Sequence, residues 1–596
     1  MFYKKIFSLL KKRVGLPDLS ETVYTLRTLG HLAKIVFLAA ALVFVSSLLV
    51  IAWKINESFL VDIPADGGTL TEGVVGTPRF INPLLSISDA DRDMSALVYS
   101  GLTRTNNKNG LIPDLAEKYT ISDNGLEYTF VLRPNIFWHD GKPVTSDDVI
   151  FTVKQAKDQN LKSPKRANWE GIEVEKINEK TVKFILKKPY APFLENTTLG
   201  ILPKHIWKDA SSERMALSEF NIKPIGSGAY EIESINKDSS GIVTSYVLKA
   251  NKKFALGKPH INKLILKFYP SEEKLISAYK NGDVDSINAV SPELARKVLK
   301  KESKLETFFL PRIFGVFFNQ NSAKIFSQIE VRKALNMSAN KQEIVDKVLN
   351  GFGTVVNYPL PPGTFGSLKQ NEDQVFSLDK ARKILKRNGW KMEDSENSES
   401  GTREKRKVLV KKTKDKTLRL EFSLSTSNIP ELKKAAELLK ATWQKLGAKV
   451  NLKIFEIGDL NQNVIRPRKY DALLFGEILG RNPDPFVFWH SSQRNDPGLN
   501  IAMYANVTVD KLLEDARTVS DPEKRKEKYK NFQEEVVKDA PAVFLYSPQF
   551  IYIIPKSLFG VDQIKNITVP SERFAQAYKW YLNTDKVWKI FAKKGK

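Results

Sequence analysis

The amino-acid sequence predicts an α/β protein with one N-terminal transmembrane helix. Of its 596 residues, 42% are hydrophobic and 27% are charged, which is typical of globular chains and argues against a disordered or multi-span membrane protein. An uncharged run comes first, and patterns typical of strands and helices are intermingled from Thr69 onward. At about 100 to 200 residues per domain, the length corresponds to several folding units or to two large lobes.

The composition excludes several classes of site. Cysteine is absent, so the chain has no disulfides, no thiolate zinc site, no cysteine nucleophile and no cysteine for lipid attachment. Basic residues number 93 and acidic residues 68, a net charge of +25. This excess points to an anionic neighbour such as a phospholipid surface, a wall polymer or nucleic acid, and charge alone does not choose among them.

The uncharged run extends from Ile35 to Trp53 and, at about 1.5 Å per residue, reaches across the ~30 Å core of a bilayer. Seven basic residues and only two acidic ones precede it, whereas three acidic residues soon follow it, namely Glu57, Asp62 and Asp66. The positive-inside rule therefore places the N-terminus in the cytoplasm and the globular part outside the cell. We expect a cytoplasmic basic segment over 1–34, a single-pass anchor in the cell membrane over 35–54 and a linker over 55–68.

A cleaved signal peptide is the competing interpretation of the same run. Its apolar part is longer than the usual ~7 to 15 residues, and no small-x-small cleavage site closes it, which favours an uncleaved anchor. A buried core helix is disfavoured because a soluble helix of this length normally carries a polar stripe.

Local patterns predict individual elements. Alternating Leu126, Tyr128, Phe130 and Leu132 follow the turn Asp123-Asn124-Gly125, which predicts a hairpin. Thr145 and Asp148 match a capping box, which predicts the start of a helix. The pattern also predicts a helix over Val331–Met337 and another that is capped by Asn340 with Glu343. The basic stretch from Arg403 to Arg419 follows a Ser/Glu/Asn-rich piece, and it is expected to be an exposed loop and hairpin or a contact for anionic lipid or wall polymer.

Metal and nucleotide sites are not predicted. The run Asp89 to Asp93 has the carboxylate spacing of a calcium loop, but Met94 and Ser100 stand where Gly and Glu are needed, so an acidic helix N-terminus is expected. The five histidines are far apart, and His139 is expected to order the Asp140-Gly141 turn. No nucleophile elbow, Walker A loop or dinucleotide fingerprint is present, so neither a cofactor nor a catalytic residue is predicted.

An ordered series of longer motifs runs through the outer part. These motifs are Pro78-Arg79-Phe80-Ile81-Asn82-Pro83, Val98-Tyr99-Ser100-Gly101-Leu102-Thr103, Pro113-Asp114-Leu115-Ala116-Glu117, Trp138-His139-Asp140-Gly141, Pro224-Ile225-Gly226-Ser227-Gly228-Ala229-Tyr230, Tyr470-Asp471-Ala472 and Ala540-Pro541-Ala542-Val543-Phe544-Leu545-Tyr546. In this order and spacing, the chain from about Gly68 to Trp580 resembles the family 5 extracellular solute-binding proteins, the peptide/nickel-type receptors of ABC importers.

The resemblance implies a two-lobed periplasmic-binding-protein clamp with an extra subdomain on lobe I and a ligand enclosed at the hinge. It implies lobe I with its subdomain over 69–270, lobe II over 271–545, and a return to lobe I with a C-terminal tail over 546–596. The chain is expected to cross between lobes near Tyr269-Pro270 and again near Tyr546.

The resemblance also suggests ligand-binding residues. Peptide-binding members carry an acidic residue soon after a Gly-Trp pair. In this sequence Glu477 occupies the position of that Trp and Gly480 the position of the acidic residue, and one residue is inserted before Asp484-Pro485. Glu477 is expected either to bind a ligand ammonium or to form a salt bridge with a neighbour such as Arg481.

Other candidate ligand-binding residues also have a structural role as the alternative. Trp489 and His490 follow in a position to stack on a ligand, although core packing is the alternative for Trp489. Tyr546 lies at the returning hinge strand and serves ligand contact or hinge packing. Asn82 and Ser227 are cleft-adjacent by resemblance. The predicted ligand-binding set is Asn82, Ser227, Glu477, Asn482, Asp484, Trp489, His490 and Tyr546.

The resulting hypothesis is a monomeric, membrane-tethered receptor that closes over an oligopeptide or similar small solute and delivers it to ABC permease subunits. Closure follows from contacts to both lobes that exist only in the closed state. The alternatives are a surface adhesion or wall-polymer-binding module that uses the +25 charge and an extracellular hydrolase that uses Glu477 and Asp484. Nucleic-acid binding is disfavoured because the basic residues are spread along an extracytoplasmic chain.

Overall fold

The structure is a computed structural model that describes most of the chain. The described residues are 23–24, 27–106, 110–370, 376–395, 406–414, 416–561 and 565–592. The chain divides into a smaller unit, Met1–Ala65 with Thr584–Lys596, and a larger unit, Asp66–Asn583.

The described residues form the following elements. The strands are β1 (Leu60–Ala65), β2 (Thr69–Val75), β3 (Thr103–Thr105), β4 (Leu111–Pro113), β5 (Ala116–Ile121), β6 (Glu127–Leu132), β7 (Ile172–Asn178), β8 (Thr181–Leu186), β9 (Tyr230–Lys237), β10 (Val243–Ala250), β11 (Lys263–Tyr269), β12 (Ser286–Asn288), β13 (Ser303–Phe309), β14 (Arg312–Phe318), β15 (Gly353–Val355), β16 (Lys391–Ser395), β17 (Arg406–Lys412), β18 (Thr417–Arg419), β19 (Glu421–Ser427), β20 (Lys449–Phe455), β21 (Ala472–Ile478), β22 (Ala542–Pro555) and β23 (Asn583–Trp588). The α-helices are α1 (His31–Phe59), α2 (Asp89–Val98), α3 (Ser146–Lys157), α4 (Arg166–Trp169), α5 (Phe193–Asn196), α6 (Lys204–Trp207), α7 (Ser212–Met215), α8 (Glu272–Asn281), α9 (Pro292–Val298), α10 (Ile329–Met337), α11 (Lys341–Val348), α12 (Leu378–Arg387), α13 (Pro430–Leu446), α14 (Ile457–Asp459), α15 (Phe486–Trp489), α16 (Val507–Thr518) and α17 (Pro522–Asp539). Short 3₁₀ turns occur at Glu219–Asn221, Lys324–Ser327, Ser491–Gln493 and Pro570–Lys579, and a π-helical turn at Leu460–Ile465.

The smaller unit contains the long apolar helix α1, which has no buried residue. It is long and apolar enough to cross a membrane. The helix extends beyond the expected span 35–54 at both ends. At its C-terminal end it continues to Phe59 because residues 54–59 contain no glycine or proline that would stop it. The expected linker 55–68 therefore contains the last helical turn and strand β1, which pairs with β23. The expected basic segment 1–34 lies mostly outside the described residues.

A mixed twelve-stranded sheet joins the two halves of the larger unit. Its main path runs β20-β19-β21-β14-β22-β12-β2-β11-β10-β9. Strand β22 is fourteen residues long, and its two ends have different partners: Tyr546 faces Phe314 of β14, whereas Ile553 faces Ile287 of β12 and Leu305 of β13.

The buried apolar residues separate into cores that define two lobes. One large core includes Leu70, Phe130, Phe308 and Tyr552 and belongs to lobe I. Two cores on either side of β14 and β21, represented by Val316 and Ile313, belong to lobe II. A smaller core includes Leu275, Ile287 and Ile553 and packs against the lobe I strands.

The change of core locates the crossings between lobes. Leu310 belongs to the same apolar core as Leu70, and Ile313 belongs to a core on β14, so the change of core falls between these residues. The crossing near Tyr269-Pro270 stays a prediction. Residues 271–309 stay with lobe I because β12 pairs with β2 and β13 with the second half of β22. The return crossing lies on β22 between Tyr546 and Phe550.

The extra subdomain of lobe I is a four-stranded sheet in the order β5-β6-β8-β7, covered by α3. The predicted hairpin is confirmed: Tyr128 pairs with Ile121, and Gly125 has φ 68°, as its turn requires. The predicted capping box is also confirmed, since the Thr145 N–H donates to Asp148 Oδ2 at 2.9 Å at the start of α3.

The helices predicted in lobe II are also confirmed. Helix α10 includes the predicted Val331–Met337, and the Asn340 side chain accepts from the Glu343 N–H at the start of α11. The basic stretch forms β17 and β18, and β17 pairs with β16 on one side and with β18 on the other. Part of this stretch, including Arg403, lies outside the described residues.

The Asp89 to Asp93 run is the N-terminus of α2, as expected. Ser88 caps the helix, and Asp91 accepts from the N–H groups of Arg79 and Phe80 at 2.7 and 2.9 Å. Among the described residues, no group of three His, Cys, Asp or Glu side chains is arranged to hold a metal.

The expectation for His139 is wrong. Its Nδ1 accepts from the Gly226 N–H at 3.3 Å, and its Nε2 lies 3.2 Å from the Gly228 carbonyl oxygen. The Asp140 turn is instead held by His205, 2.7 Å away. His139 thus positions the glycine turn around Ser227, because its side chain points away from the turn that follows it in the sequence.

Candidate functional site

The two lobes of the larger unit meet across a cleft that Arg481 of lobe II closes. Its Nη2 donates to Glu572 Oε2 at 2.6 Å, and its Nη1 donates to Glu195 Oε2 at 3.3 Å; both carboxylates belong to lobe I. Burial raises the pKa of Glu195, and Arg481 opposes that shift. Arg481 is only 5% exposed, so the two ion pairs are shielded from solvent in the closed arrangement.

A second contact between the lobes lies at Asp484. Arg517 donates to both Asp484 carboxylate oxygens, the shortest bond being 2.6 Å, and the Tyr190 hydroxyl of lobe I lies 3.4 Å from the same carboxylate. The Arg517 carbonyl accepts from the Ala191 N–H at 3.1 Å. Asp484 is therefore an ionic contact at the junction of the lobes. Its neighbour Asn482 accepts from Arg525 at 2.7 Å.

Glu477 is the most unusual of the predicted residues. Strand β21 places it opposite Ile313, 2% exposed, and neither carboxylate oxygen has a hydrogen-bond partner among the described residues. Burial raises its pKa well above the ordinary value, and the nearby Trp489 indole N–H, outside hydrogen-bonding geometry, lowers it only partly. The expected alternative, a salt bridge to Arg481, is wrong because Arg481 reaches across to lobe I.

Trp489 and His490 lie behind this strand, inside lobe II. The Trp489 ring is fully buried and packs against Phe317 and Phe544, at centroid distances of 6.3 and 5.7 Å. The His490 ring stacks on Phe486 at 4.0 Å, and its Nδ1 lies 2.7 Å from the Ser492 hydroxyl. Both rings are therefore part of the interior packing of lobe II.

Tyr546 lies on β22 where the chain returns to lobe I. Its ring stacks on Phe314 at 5.2 Å, and burial raises its pKa. The arrangement matches the hinge-packing alternative, in which the two rings join neighbouring strands at the crossing.

The two lobe I candidates are also buried. The Asn82 side chain accepts from the Leu84 N–H at 3.0 Å and donates to Asn221 at 3.2 Å. The Ser227 hydroxyl has no partner among the described residues. Its turn packs so closely on the end of α2 that a Cβ on Gly226 would lie 1.9 Å from the Val98 carbonyl oxygen.

A cavity of about 210 Å³ opens on the lobe I side of the cleft. Glu572, which holds Arg481, belongs to its wall. Its polar lining includes Arg92, Ser95, Tyr99, Arg104, Asp114 and Lys165. The sequence analysis did not select these residues or Arg481 as ligand-binding candidates, because they come from distant segments; Tyr99 and Asp114 lie in quoted motifs, but the motifs do not show that the two residues share a cavity.

The chain is similar to known binding proteins along most of its length. The profile of the bacterial extracellular solute-binding proteins, family 5 middle region, matches residues 110–498. The oligopeptide-binding protein AppA of Bacillus subtilis is 29% identical over 529 residues, 87% of this chain and 92% of that relative. The dipeptide-binding protein of Escherichia coli is 25% identical over 505 residues, 79% of this chain and 87% of that relative.

Solved structures show the same two-lobed fold. AppA from Bacillus subtilis, in complex with a nonapeptide, superposes with a TM-score of 0.64 at 28% identity, covering 87% of this chain and 100% of that chain. The ABC transporter substrate-binding protein CtaP from Listeria monocytogenes superposes with a TM-score of 0.72 at 25% identity, covering 87% and 99%. Members of this family are extracytoplasmic binding receptors rather than enzymes. The chain belongs to the bacterial extracellular solute-binding proteins of family 5.

Proposed function

We propose that this chain is the membrane-anchored receptor of an ABC importer and captures a peptide or similar small solute between its two lobes. The observation that carries the proposal is Arg481, a buried cation of lobe II that binds Glu195 and Glu572 of lobe I. A receptor needs such contacts, formed only when the lobes close, to hold the closed state. The oligopeptide- and dipeptide-binding relatives support a peptide ligand, and the likeness to CtaP supports permease subunits as partners.

The predicted ligand-binding residues divide into a group proposed to contact the ligand and a group proposed to shape the cleft. Ser227 and Glu477 have polar atoms without protein partners among the described residues, and Asn482 and Asp484 follow Arg481 near the junction of the lobes. These four remain the proposed ligand contacts. Asn82, Trp489, His490 and Tyr546 are packed or hydrogen-bonded, and we propose that they shape the cleft.

Binding is tested with the full chain in lipid nanodiscs. A mixed library of short peptides should raise its Tm, because a ligand that binds only the folded state stabilises it by mass action. Native mass spectrometry of the same sample identifies the peptide retained. The peptide proposal is wrong if no peptide raises the Tm and none is retained.

Arg481→Gln is expected to shift the ligand-free protein toward the open state. The variant leaves Glu195 and Glu572 without their cation, and hydrogen bonds to charged groups contribute about 1.5–3 kcal/mol. Each ~1.4 kcal/mol changes the closed-to-open ratio about tenfold. Small-angle X-ray scattering should therefore report a larger radius of gyration.

The matched control for that measurement is Arg466→Gln, which removes a well-exposed arginine of lobe II. It should leave the radius of gyration unchanged. If Arg481→Gln behaves like this control, in both scattering and peptide affinity, Arg481 does not govern closure.

Membrane anchoring draws support from the smaller unit. The end of α1 is tied to the C-terminal segment, since the Trp588 indole donates to Asn56 at 2.9 Å and the Lys589 N–H donates to the Phe59 carbonyl at 2.8 Å. Cleavage close to the apolar run would cut a helix that is hydrogen-bonded through Phe59. We therefore propose that α1 is retained as a single-pass anchor.

The same unit predicts that the C-terminal segment lies at the membrane surface. Trp588, Ile590 and Phe591 are exposed, as are Trp53 and Phe59 at the end of α1. Aromatic and apolar side chains next to a spanning helix are typical of the lipid–water interface. Because the chain has no cysteine, Ile590→Cys can carry a single environment-sensitive fluorophore, which lipids with quenchers in the upper acyl chain should quench.

The control for that label is Leu217→Cys, an equally exposed apolar position of lobe I. Its fluorophore should not be quenched. Equal quenching at both positions would contradict the placement of the C-terminal segment at the membrane surface. A mature N-terminus after residue 53, in protein made by its own host, would contradict the anchor.

A further inference from the structure

Helix α12 of lobe II exposes a dense row of cations. It packs on the lobe II core through Ala381 and Leu385, which are buried, and its other side is open to solvent. Residues 378–391 contain six cations and a single acid, Asp379. Asp379 lies 3.5 Å from Arg382, so this pair cancels and the remaining cations determine what this side of the helix attracts.

The end of α13 brings other parts of the chain to the same surface. Arg382 Nη2 donates to the Lys445 carbonyl oxygen at 2.7 Å, which joins the last turn of α13 to α12. The Leu409 N–H donates to the Gly447 carbonyl oxygen at 2.8 Å, so β17 and its partner β16 lie at this end as well. Six exposed cations from these elements form a basic face, namely Lys380, Lys383, Lys386, Arg387, Lys391 and Lys445.

The cations of the basic face are not neutralised by the protein. None of the six side chains forms an ion pair or a hydrogen bond with another residue that the structure describes. Lys383 and Arg387 are four positions apart and Lys386 is three from Lys383, spacings at which like charges on a helix destabilise it. The sequence therefore keeps a local repulsion that costs stability, which is typical of residues retained for binding.

Helix α17 of the same lobe shows the opposite arrangement. Its exposed cations lie beside acids of the same helix. Lys526 lies 2.7 Å from Glu523. Lys530 lies 4.0 Å from Glu534. The excess of positive charge is therefore concentrated at the basic face and is not a general property of the exposed helices of lobe II.

The shape and composition of the basic face favour a linear polyanion as its partner. The row from Lys380 to Arg387 extends for about 10 Å along the helix axis, so it can meet several consecutive negative groups. Residues 378–392 expose no large apolar side chain except Met392. Helices that bind a lipid surface insert an apolar face beside their cations, whereas the apolar face of α12 is already buried in lobe II.

We infer that the basic face binds a linear polymer of the cell envelope that carries a negative group on each repeating unit. Members of the family are extracytoplasmic, so lobe II is exposed to the polymers of the envelope. Each bound group pairs with one cation and releases counter-ions, and the affinity therefore falls as the salt concentration rises. The basic face shares no residue with the cleft contacts at Arg481 and Asp484, so polymer and solute can bind at the same time.

The test measures the binding of fluorescently labelled linear polyphosphate to the full chain in nanodiscs of zwitterionic lipid. A double variant with Lys383→Gln and Arg387→Gln should bind about tenfold more weakly at low salt, because each cation beside a dense anion contributes several-fold. The slope of log affinity against log salt concentration should become shallower by about one to two. Both side chains are exposed, so the Tm of the variant should not fall.

The matched control is the double variant with Lys526→Gln and Lys530→Gln, which removes the same charge from α17. Its affinity for polyphosphate should change by less than about twofold, because these two cations already have acidic partners. If the two double variants bind polyphosphate equally well, the inference is wrong. Inorganic phosphate at the same total phosphate concentration should not displace the label, and equal displacement would also contradict a polymer site.

A lipid surface is the competing partner for these cations. Binding to vesicles of phosphatidylglycerol, measured by co-sedimentation, should differ little between the natural chain and the α12 double variant. If the α12 double variant loses vesicle binding as much as polyphosphate binding, or more, the basic face binds a membrane surface and the inference is wrong. The rise in Tm caused by peptides should be the same in this variant, so the receptor proposal is tested separately.

Discussion

Replacing Arg573 with methionine is expected to lower the free energy of unfolding by about 3–5 kcal/mol, the usual loss when one partner of a buried ion pair is removed. Arg573 is fully buried in lobe I. It donates to Glu72 Oε1 at 2.6 Å and to both Asp93 oxygens at 2.8 and 2.6 Å. Burial raises the pKa of Asp93 to about 6 despite this cation, so its ionised form depends on Arg573.

The experiment is urea unfolding of the full chain in nanodiscs. Arg214→Gln, an exposed arginine of lobe I, is the control and should cost less than ~0.5 kcal/mol. Adding Glu72→Gln and Asp93→Asn to Arg573→Met should recover part of the loss, because the triple variant buries no uncompensated charge. A loss below ~1 kcal/mol in the single variant would show that the pair does not hold lobe I together.

The second large effect is expected at Glu477, as a dependence of stability on pH. An unfolded Glu titrates near ~4.3, whereas burial holds the pKa of Glu477 well above its ordinary value in the folded protein. Between these two values the folded state retains a proton that the unfolded state releases. The free energy of unfolding therefore falls by up to about 1.4 kcal/mol per pH unit as the pH rises from ~4.3 toward the raised pKa.

Glu477→Gln keeps the size of the side chain and removes its ionisation. The variant should lack this part of the pH dependence, so in urea unfolding its stability relative to the natural protein should increase as the pH rises above ~4.3 and level off once the pH passes the raised pKa of Glu477. Glu437→Gln, an exposed glutamate on α13, is the control and should differ from the natural protein by the same small amount at every pH. A constant difference for Glu477→Gln would mean that its carboxyl group is not desolvated.

Local patterns predicted the elements that depend on neighbouring residues. The Gly125 turn, the Thr145 capping box and the Asn340 cap each join groups a few positions apart, so the sequence alone specifies them. The two-lobed fold followed from the resemblance, because periodicity does not determine which strands pair across hundreds of residues.

The chemistry of the cleft was predicted less well for the same reason. Arg481 binds Glu195 and Glu572, which are 286 and 91 positions away in the sequence. The predicted site residues from Glu477 to His490 lie at the end of β21 and in the segment after it, but the sequence does not reveal which of these side chains point across the cleft and which point inward. Only the folded backbone fixes those directions, since β21 alternates its faces and the loop after it does not.

The continuity of β22 has a consequence for cooperativity. Strand β22 runs without a break from Ala542 in lobe II to Pro555 in lobe I, and it pairs with β14 in its first half and with β13 in its second half. The two lobes therefore share one continuous strand. We therefore expect the two lobes to unfold in one common transition, although their apolar interiors are separate. We likewise expect a defect in either lobe to lower the stability of both.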